Sequence, residues 1–300
     1  MLKKIAGKME GYFKGSYFLF SGPAVILYTL FFILPAVRGL LYAFTNWDGI
    51  SPDYNIVWFE NFTRIFSIDQ FKIGITNTFI YCIVNILVSN SIALVLATLI
   101  HASGKFKNFF KTTVFFPVVL SAVVVAYVWS IMYSYDTGAI NSFLRLIGLD
   151  FLCQEWLGDP NIAIFAVAAT MVWGSLGLYT IIYSTGIENI PTDLYEAADI
   201  DGASSIQRFL HITYPMVSPV LTTCVVLSTV NGLKVFNEPF LMTKGGPFYR
   251  TESISTLIYT NAFSSSEIGL ACAYSIVLLV IISVISIIQT NVLRRREVNL

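Results

Sequence analysis

The chain has 300 residues, of which 56% are hydrophobic and only 12% are charged, whereas soluble domains carry about 25% charged residues. This composition excludes an ordinary soluble enzyme. The 18 basic residues are balanced by 18 acidic ones, which argues against a nucleic-acid-binding protein with a basic surface. Two histidines and four cysteines without metal-ligand spacing predict neither a metal site nor a disulfide framework.

Six uncharged apolar stretches are long enough to cross the hydrocarbon core of a bilayer as helices, which takes about 20 residues each. Their sequence is continuously apolar and lacks the alternation that is typical of a membrane β-barrel. They are residues 17–37, 73–100, 112–135, 161–187, 212–233 and 268–293. The sequence therefore predicts an all-α, polytopic membrane protein whose six transmembrane helices form one domain over residues 1–300.

The positions of Lys and Arg predict the orientation, because cytoplasmic loops are enriched in both residues. The first stretch is too long for the core of a cleaved signal peptide, which has about 7 to 15 residues. With the N-terminus inside, eleven of the 18 basic residues lie on the inner side. These are Lys3, Lys4, Lys8, Lys14, Lys105, Lys107, Lys111, Arg208, Arg294, Arg295 and Arg296. Both termini are therefore predicted to be cytoplasmic.

The inner loop at residues 188–211 is acidic, whereas the other inner loops are short and basic. Asp193 is expected to cap a short helix with Glu196 at its third position, and Gly202 is expected to end or bend that helix. Ala197 and Ala198 would give the helix a face of small residues that another surface can approach closely. An amphipathic linker that only covers the end of the bundle would also fit this composition.

The spacing in this loop resembles the cytoplasmic signature of the permease subunits of ATP-binding-cassette importers. Glu196-Ala197-Ala198 is followed by Gly202 after three residues and by Ile212 after nine more, although Tyr214 stands where the signature usually has Leu. Further matches are Ile190-Pro191 with Leu194-Tyr195, Thr243-Lys244-Gly245-Gly246-Pro247, Asn46-Trp47 and the Gly269-Leu270-Ala271 start of the last stretch. The resemblance covers nearly the whole chain and is to the maltose-type, carbohydrate-uptake class, most like the first of two paired permease subunits.

The resemblance implies a type I importer permease fold in the bacterial cytoplasmic membrane, with a cytoplasmic coupling helix between the fourth and fifth spans. It also implies a second permease subunit, two ATPase subunits and an extracytoplasmic solute-binding protein as partners. The chain has no Gly-rich phosphate-binding loop, so ATP and Mg are expected on the ATPase subunits, and no catalytic residue or cofactor is expected here. The coupling residues carried over from the family are Glu196, Ala197, Ala198, Asp201, Gly202 and Ala203.

Polar and aromatic residues in the fourth span and in the region at and just after the end of the fifth span are candidates for a substrate path, because a polar group at membrane depth needs a cavity or a partner. A sugar would use both kinds of residue, since its apolar faces stack on rings and its hydroxyls take hydrogen bonds. The resemblance places ligand contacts on the same two spans. The candidates are Trp173, Tyr179, Asn231, Gly232, Lys234, Asn237 and Glu238.

Simpler roles for several of these residues remain open. Lys234 and Glu238 could neutralise each other as an i, i+4 pair, and Trp173 and Tyr179 could face lipid or an interface. The outer segments 46–71 and 134–160 are too short for separate domains and predict interfacial helices or a docking surface. The polar residues of the second span, which are expected to hydrogen-bond across helices or line the subunit interface, are Asn85, Ser89 and Asn90.

Three other functions compete with a sugar importer. A relative within the family could carry glycerol phosphate or a polyol, but Lys234 is the one cation available in the path for a phosphate. A stand-alone secondary transporter would need paired acids at membrane depth or an inverted repeat, and the six stretches contain no Asp or Glu. An intramembrane enzyme would need a cluster of His, Cys or carboxylate residues at that depth, and the sequence offers none.

Overall fold

The structure, a computed structural model, describes residues 21–295. This range is almost entirely helical, with an isolated bridge between Thr45 and Ile56 and no strand. Five of its helices are long and apolar enough to cross a membrane, and a bent pair of helices supplies a sixth span. Some of the residues used above lie outside the described range. They are residues 17–20 of the first stretch and, among the residues used for orientation, Lys3, Lys4, Lys8, Lys14 and Arg296.

The helices are numbered here in chain order. They are α1 (Ser21–Tyr42), α2 (Glu60–Ser67), α3 (Asp69–Ala102), α4 (Gly104–Val119), α5 (Ala122–Met132), α6 (Ala139–Leu146), α7 (Ala163–Glu188), α8 (Thr192–Ile200), α9 (Ser205–Arg208), α10 (Ser218–Leu233), α11 (Asn237–Thr243), α12 (Ile254–Tyr259) and α13 (Ile268–Arg294). The spans are α1, α3, the bent pair α4 and α5, α7, the interrupted pair α10 and α11, and α13. Each predicted stretch overlaps one of them.

The third predicted stretch is a bent pair rather than one straight helix, because α4 and α5 meet at 98°. Pro117 lies in the last turn of α4, and Leu120 and Ser121 then adopt extended backbone conformations. The Ser121 hydroxyl accepts a hydrogen bond at 3.3 Å from the backbone N–H of Val124, which caps α5. The expectation of a continuous helix over residues 112–135 is therefore corrected to two helices with a break between them.

The fifth span is also interrupted, at residues 234–236 between α10 and α11. The backbone N–H of Lys234 still donates to Val230 at 3.1 Å and that of Val235 to Gly232 at 3.4 Å, which closes the last turn of α10. The carbonyl oxygen of Val235 accepts a hydrogen bond at 2.9 Å from the hydroxyl of Ser253, which precedes α12. A residue outside the span thus satisfies the backbone at the break.

Small residues bring the central helices into backbone contact. A β-carbon on Gly177 of α7 would lie 2.6 Å from the carbonyl oxygen of Val114 and 2.9 Å from Cα of Phe115, both in α4. A β-carbon on Gly232 of α10 would lie 2.6 Å from Cα of Cys82 in α3. Such distances are shorter than any β-carbon can adopt, so α7 and α10 pack against their neighbours only because glycine stands at these two positions.

The segment after α11 is fastened to α3 by hydrogen bonds. The side-chain amide of Asn77 donates to the carbonyl oxygens of Tyr249 and Glu252 at 3.1 and 2.9 Å, and the Tyr81 hydroxyl donates to that of Thr251 at 3.2 Å. The Glu252 carboxyl is buried beneath this segment and is hydrogen-bonded to Thr256. Burial raises the pKa of this carboxyl, because removal from water disfavours its charged form.

The first span is the one that the chain itself covers least, since none of the residues in its most apolar window is buried. It meets α13 at Gly39, where a β-carbon would lie 3.9 Å from the Sγ atom of Cys272. An apolar surface of this length needs lipid or another chain to cover it.

Replacing Gly177 with alanine should destabilise the protein, because the new β-carbon would overlap the backbone of α4. We expect Gly177→Ala to lower the free energy of unfolding by about 1 to 3 kcal/mol, the usual range for overpacking. The measurement is denaturant unfolding of the purified protein in detergent.

Gly174→Ala, one turn away in the same helix, is the matched control, since a β-carbon there would have nothing within 4 Å. Alanine favours the helix by about 1 kcal/mol over glycine, so Gly174→Ala should be neutral or stabilising. Equal destabilisation by both variants would contradict the close contact between α4 and α7.

Candidate functional site

A cavity of about 370 Å³ lies where the breaks of the third and fifth spans face each other. Leu120 and Ala122 line it from one break, and Val235 and Phe236 line it from the other. The rest of its wall consists of Asn85, Pro117, Val118, Val125, Met171, Gly174, Ser175, Asn231, Lys234, Asn237 and Glu238. The cavity therefore combines amides, a hydroxyl, one cation, one carboxyl group and an aromatic ring with an apolar lining.

Four of the seven residues predicted for the substrate path line this cavity, namely Asn231, Lys234, Asn237 and Glu238. The ion pairs among the described residues do not include one between Lys234 and Glu238. Lys234 directly follows α10 and Glu238 lies in the first turn of α11, so the break between the two helices removes the helical spacing on which an i, i+4 pair depends. The lysine is exposed.

Tyr179 lies behind the cavity wall, where it is fully buried. Its hydroxyl accepts a hydrogen bond from the side-chain amide of Asn231 at 3.2 Å and one from that of Asn85 at 3.5 Å. Both donors line the cavity, so Tyr179 holds them in place without facing the space itself.

The other two predicted path residues also lie outside the cavity wall. Gly232 faces the backbone of Cys82 in α3 and allows the close helix contact described above. Trp173 packs edge-to-face on Trp129 of α5, with 5.6 Å between the ring centroids. Both residues support the elements that surround the cavity.

The sequence analysis assigned Asn85 to hydrogen bonds between helices. In the structure it makes such bonds and also lines the cavity. Its side-chain amide donates to the carbonyl oxygen of Ser228 in α10 at 2.9 Å. Its side-chain oxygen accepts hydrogen bonds from Ser89 in α3 at 2.8 Å and from Ser175 in α7 at 3.3 Å. The predicted hydrogen bonds across helices are confirmed, and one residue of the cavity wall joins three spans.

A second asparagine, one helical turn further along α3, extends this network. The side-chain amide of Asn90 donates to the hydroxyl of Ser228 at 2.8 Å, and the Tyr183 hydroxyl donates to the Asn90 side-chain oxygen at 2.9 Å. All three residues are buried. The polar network therefore runs from the cavity along the interior of the bundle.

The acidic segment 188–211, called the coupling segment below, contains two short helices joined by a tight turn. Gly202 ends α8 as predicted, since it adopts a φ of 73°, which residues other than glycine rarely tolerate. The backbone N–H of Ala203 donates to the carbonyl oxygen of Ala198 at 2.9 Å across this turn. The turn sends the chain back along α8 into α9.

The prediction that Asp193 caps α8 is wrong. Pro191 precedes the first helical residue, Thr192, and no side chain caps the helix. The helix therefore starts two residues earlier than expected, and Asp193 falls within its first turn, where it complements the helix dipole. The capping box forms in the next helix, between Ser204 and Gln207, and the Ser-x-x-Gln pattern in the sequence could have revealed it.

The predicted coupling residues lie at the surface. Glu196, Ala197, Asp201 and Gly202 are exposed, and Ala198 and Ala203 are half-buried. Two large apolar side chains that the sequence analysis missed flank the Gly202 turn. These are Ile200, which is 87% exposed, and Ile206, which is 71% exposed. The sequence could have revealed them, because an isoleucine on either side of a glycine is unusual in a polar loop.

Side-chain contacts tie α8 to the helical stretch that leads into α10. Arg208 forms an ion pair with Asp199 at 2.5 Å, and the hydroxyls of Tyr195 and Thr213 lie 2.9 Å apart. α8 is therefore fixed to the chain that enters the fifth span.

Comparisons with known proteins agree with this architecture. The sequence profile of the family described as "Binding-protein-dependent transport system inner membrane component" matches residues 89–298. The chain belongs to this family. The resemblance inferred from the Glu-Ala-Ala signature is thereby confirmed, and the chain is a multi-pass membrane protein.

Relatives match the permease over most of their length. The probable ABC transporter permease protein YurN of Bacillus subtilis is 34% identical over 274 residues, which are 91% of this chain and 94% of that protein. The multiple sugar-binding transport system permease protein MsmF of Streptococcus mutans is 31% identical over 274 residues, which are 91% of this chain and 93% of that protein.

Solved structures show the same fold. The crystal structure of a bacterial ABC transporter involved in the import of the acidic polysaccharide alginate contains a chain that matches with a TM-score of 0.83 and 27% identity, over 96% of this chain and 99% of that one. A second structure, of the alginate transporter in complex with an alginate pentasaccharide-bound periplasmic protein, matches with a TM-score of 0.81 and 27% identity, over 94% and 96%. The predicted importer permease fold is confirmed.

Asn85→Ala should destabilise the permease, because it removes hydrogen bonds to three spans and leaves buried partners unsatisfied. The expected loss is about 1 to 3 kcal/mol. Asn237→Ala removes the same functional group from an exposed position in the same cavity and should change stability by less than about 0.5 kcal/mol. Denaturant unfolding in detergent measures both, and equal effects would show that Asn85 does not hold the spans together.

Proposed function

We propose that this chain is a permease subunit that carries a sugar or an oligosaccharide through the bacterial cytoplasmic membrane by alternating access. Two partner ATPase subunits would bind ATP and Mg and drive the transition. A second permease subunit would complete the path, and an extracytoplasmic solute-binding protein would deliver the sugar. Similar proteins named as sugar transport permeases support this assignment, as does the solved relative that was captured with a saccharide-bound periplasmic protein.

The cavity at the two helix breaks is the observation that carries the proposal. Its amides and the Lys234 ammonium can donate hydrogen bonds to sugar hydroxyls, and the Glu238 carboxyl can accept them. The ring of Phe236 offers a surface for the apolar face of a sugar. A volume of about 370 Å³ is at the small end of the range for ligand pockets, about 300 to 1,000 Å³. The second permease subunit would enlarge the path.

The exposed coupling segment would be the surface that meets an ATPase subunit. Glu196 and Asp201 would face basic groups of that partner, while Ala197, Ala198, Gly202 and Ala203 would allow its surface to come close. The neighbouring Ile200 and Ile206 would add apolar anchors, which protein interfaces bury at their centres. With this segment in the cytoplasm, both termini would lie there as well.

The opposite end of the bundle would then face outward, with α2, α6 and the segment between α11 and α13. That end is where a solute-binding protein would dock. The second permease subunit would cover part of α1, which the chain itself leaves uncovered.

Gly202→Val should weaken association with the ATPase subunit by about tenfold or more, which corresponds to about 1.4 kcal/mol or more. The added side chain would stand in the turn that enters the partner. The measurement is co-purification of the co-expressed ATPase with the permease from membranes.

Two controls separate docking from backbone strain. Gly104→Val imposes a similar strain, because Gly104 also has a positive φ of 56° and open space around it, but it lies outside the coupling segment. Gly202→Asn keeps the φ accessible and adds a side chain. We expect Gly104→Val to retain the ATPase subunit and Gly202→Asn to lose it. Retention by Gly202→Asn would reject the docking role of this turn.

Lys234→Met should lower uptake at limiting sugar concentration by about fivefold or more, since a lost hydrogen bond to a charged group is worth about 1.5 to 3 kcal/mol. Methionine keeps the length of the side chain and removes its charge. Uptake is measured in cells that carry the complete transporter, with whichever radiolabelled sugar of a panel the unaltered transporter accumulates best. Lys244→Met is the control, because Lys244 is exposed ten residues further along and does not line the cavity. Unchanged uptake by Lys234→Met would exclude Lys234 from the path.

A further inference from the structure

Glu188 is the last residue of α7 and the first residue of the coupling segment, and two lysines of α4 hold it. Its Oε1 atom lies 3.0 Å from the Nζ atom of Lys107 and 3.6 Å from that of Lys111. It also accepts a hydrogen bond from the hydroxyl of Ser184 at 3.3 Å. All three charged side chains are about two-thirds buried, with exposed fractions of 30 to 34%. The ion pairs therefore join the start of α4 to the point where the coupling segment leaves the bundle.

The two lysines belong to the face of α4 that packs on α7. Lys107 and Lys111 are four residues apart, and Val114 and Val118 continue the same face at the spacing of an α-helix. A β-carbon on Gly177 of α7 would lie 2.6 Å from the carbonyl oxygen of Val114 and 2.8 Å from Cγ2 of Val118. The helix is thus clamped to α7 by charge at one end and by close packing near the other.

The far end of this face reaches the cavity. α4 continues as helix from the lysines to Val119, where the break of the third span begins. Val118 and Leu120 both line the cavity at that break. A helix transmits a displacement along its axis with little deformation, so a movement of Glu188 would shift the Leu120 side of the cavity.

The other broken span has a separate connection to the coupling segment. The Asp199–Arg208 ion pair and the Tyr195–Thr213 hydrogen bond link α8 to the stretch that enters α10. Asn237 lies on that side of the cavity, beyond the second break. Each wall of the cavity is therefore joined to the coupling segment by its own polar contacts.

We propose that Glu188 is a positioning residue, which passes the movement of the coupling segment to α4 through Lys107 and Lys111 and so moves the Leu120 wall of the cavity. This inference rests on the proposed alternating-access function. In this proposal the ion pairs of Glu188 move only the Leu120 wall of the cavity. The contacts of α8 move the Asn237 wall.

The test uses the complex assembled with its co-expressed permease and ATPase subunits in nanodiscs. Cys82, Cys153, Cys224 and Cys272 are replaced by serine, and a single cysteine is introduced by Leu120→Cys or by Asn237→Cys. The rate of labelling by a water-soluble maleimide is measured without nucleotide and with MgATP and vanadate. In the otherwise unaltered complex, nucleotide should change both rates by about tenfold, as expected when a ligand reverses most of a two-state population.

Glu188→Gln keeps the shape of the side chain and removes its charge. We expect it to reduce the nucleotide-dependent change at Leu120→Cys to less than about twofold, while the change at Asn237→Cys persists, since only one wall loses its link. The double variant Lys107→Gln with Lys111→Gln removes the same ion pairs from the other side and should give the same pattern. A general loss of structure would instead abolish the response at both cysteines.

Glu267→Gln is the matched control. It breaks the ion pair between Arg64 and Glu267, whose side chains are 49 and 35% exposed, in the segments that join the spans at the other end of the bundle. It should leave both responses unchanged. An undiminished response at Leu120→Cys in both Glu188→Gln and the double lysine variant overturns the role of Glu188. If neither cysteine responds to nucleotide in the otherwise unaltered complex, the proposed function itself fails, and the inference fails with it.

Discussion

The backbone at the two helix breaks is the constraint on which the rest of the structure depends. Lipid offers no hydrogen-bond partner to a peptide group, so an interrupted helix is tolerated only where protein or a water-filled cavity surrounds it. Ser121 satisfies one break by capping α5, and Ser253 satisfies the other by donating to the carbonyl oxygen of Val235. Both breaks are covered in the same way, because residues of each line one cavity inside the protein.

Buried amides then hold the spans around this cavity. Asn85 contacts α7 and α10 from α3, and Asn90 repeats this arrangement one turn away through Ser228 and Tyr183. In a bundle that lacks a hydrophobic driving force between its helices, such bonds and close glycine contacts provide much of the specificity of packing. Asn85, which joins the spans, also lines the cavity, so the shape of the cavity wall depends on the packing of three helices.

Sequence reasoning predicted the spans well because the bilayer imposes one length and one composition on all of them. It also predicted a short helix that ends at Gly202 in the acidic segment 188–211, where the family signature depends on residue identity and spacing. It did not foresee the bend at Leu120 and Ser121, although Pro117, three residues earlier, is of the type that kinks or ends a helix. Nor could it tell that Tyr179 lies behind the cavity wall while Asn231 lines it. The direction in which a side chain points is set by packing among all the spans, and no local pattern reports it.

The acids of the coupling segment divide into two groups, and the division explains why this surface is both rigid and open. Glu188 is paired with Lys107 of α4, which fixes the segment on the bundle, and Asp199 is paired with Arg208, which joins the two helices of the segment to each other. Asp193, Glu196 and Asp201 are exposed and take part in none of the ion pairs among the described residues. Unpaired charges of one sign favour a partner of the other sign and steer its approach. A negative surface that its own ion pairs hold in shape is therefore suited to the basic partner surface proposed above.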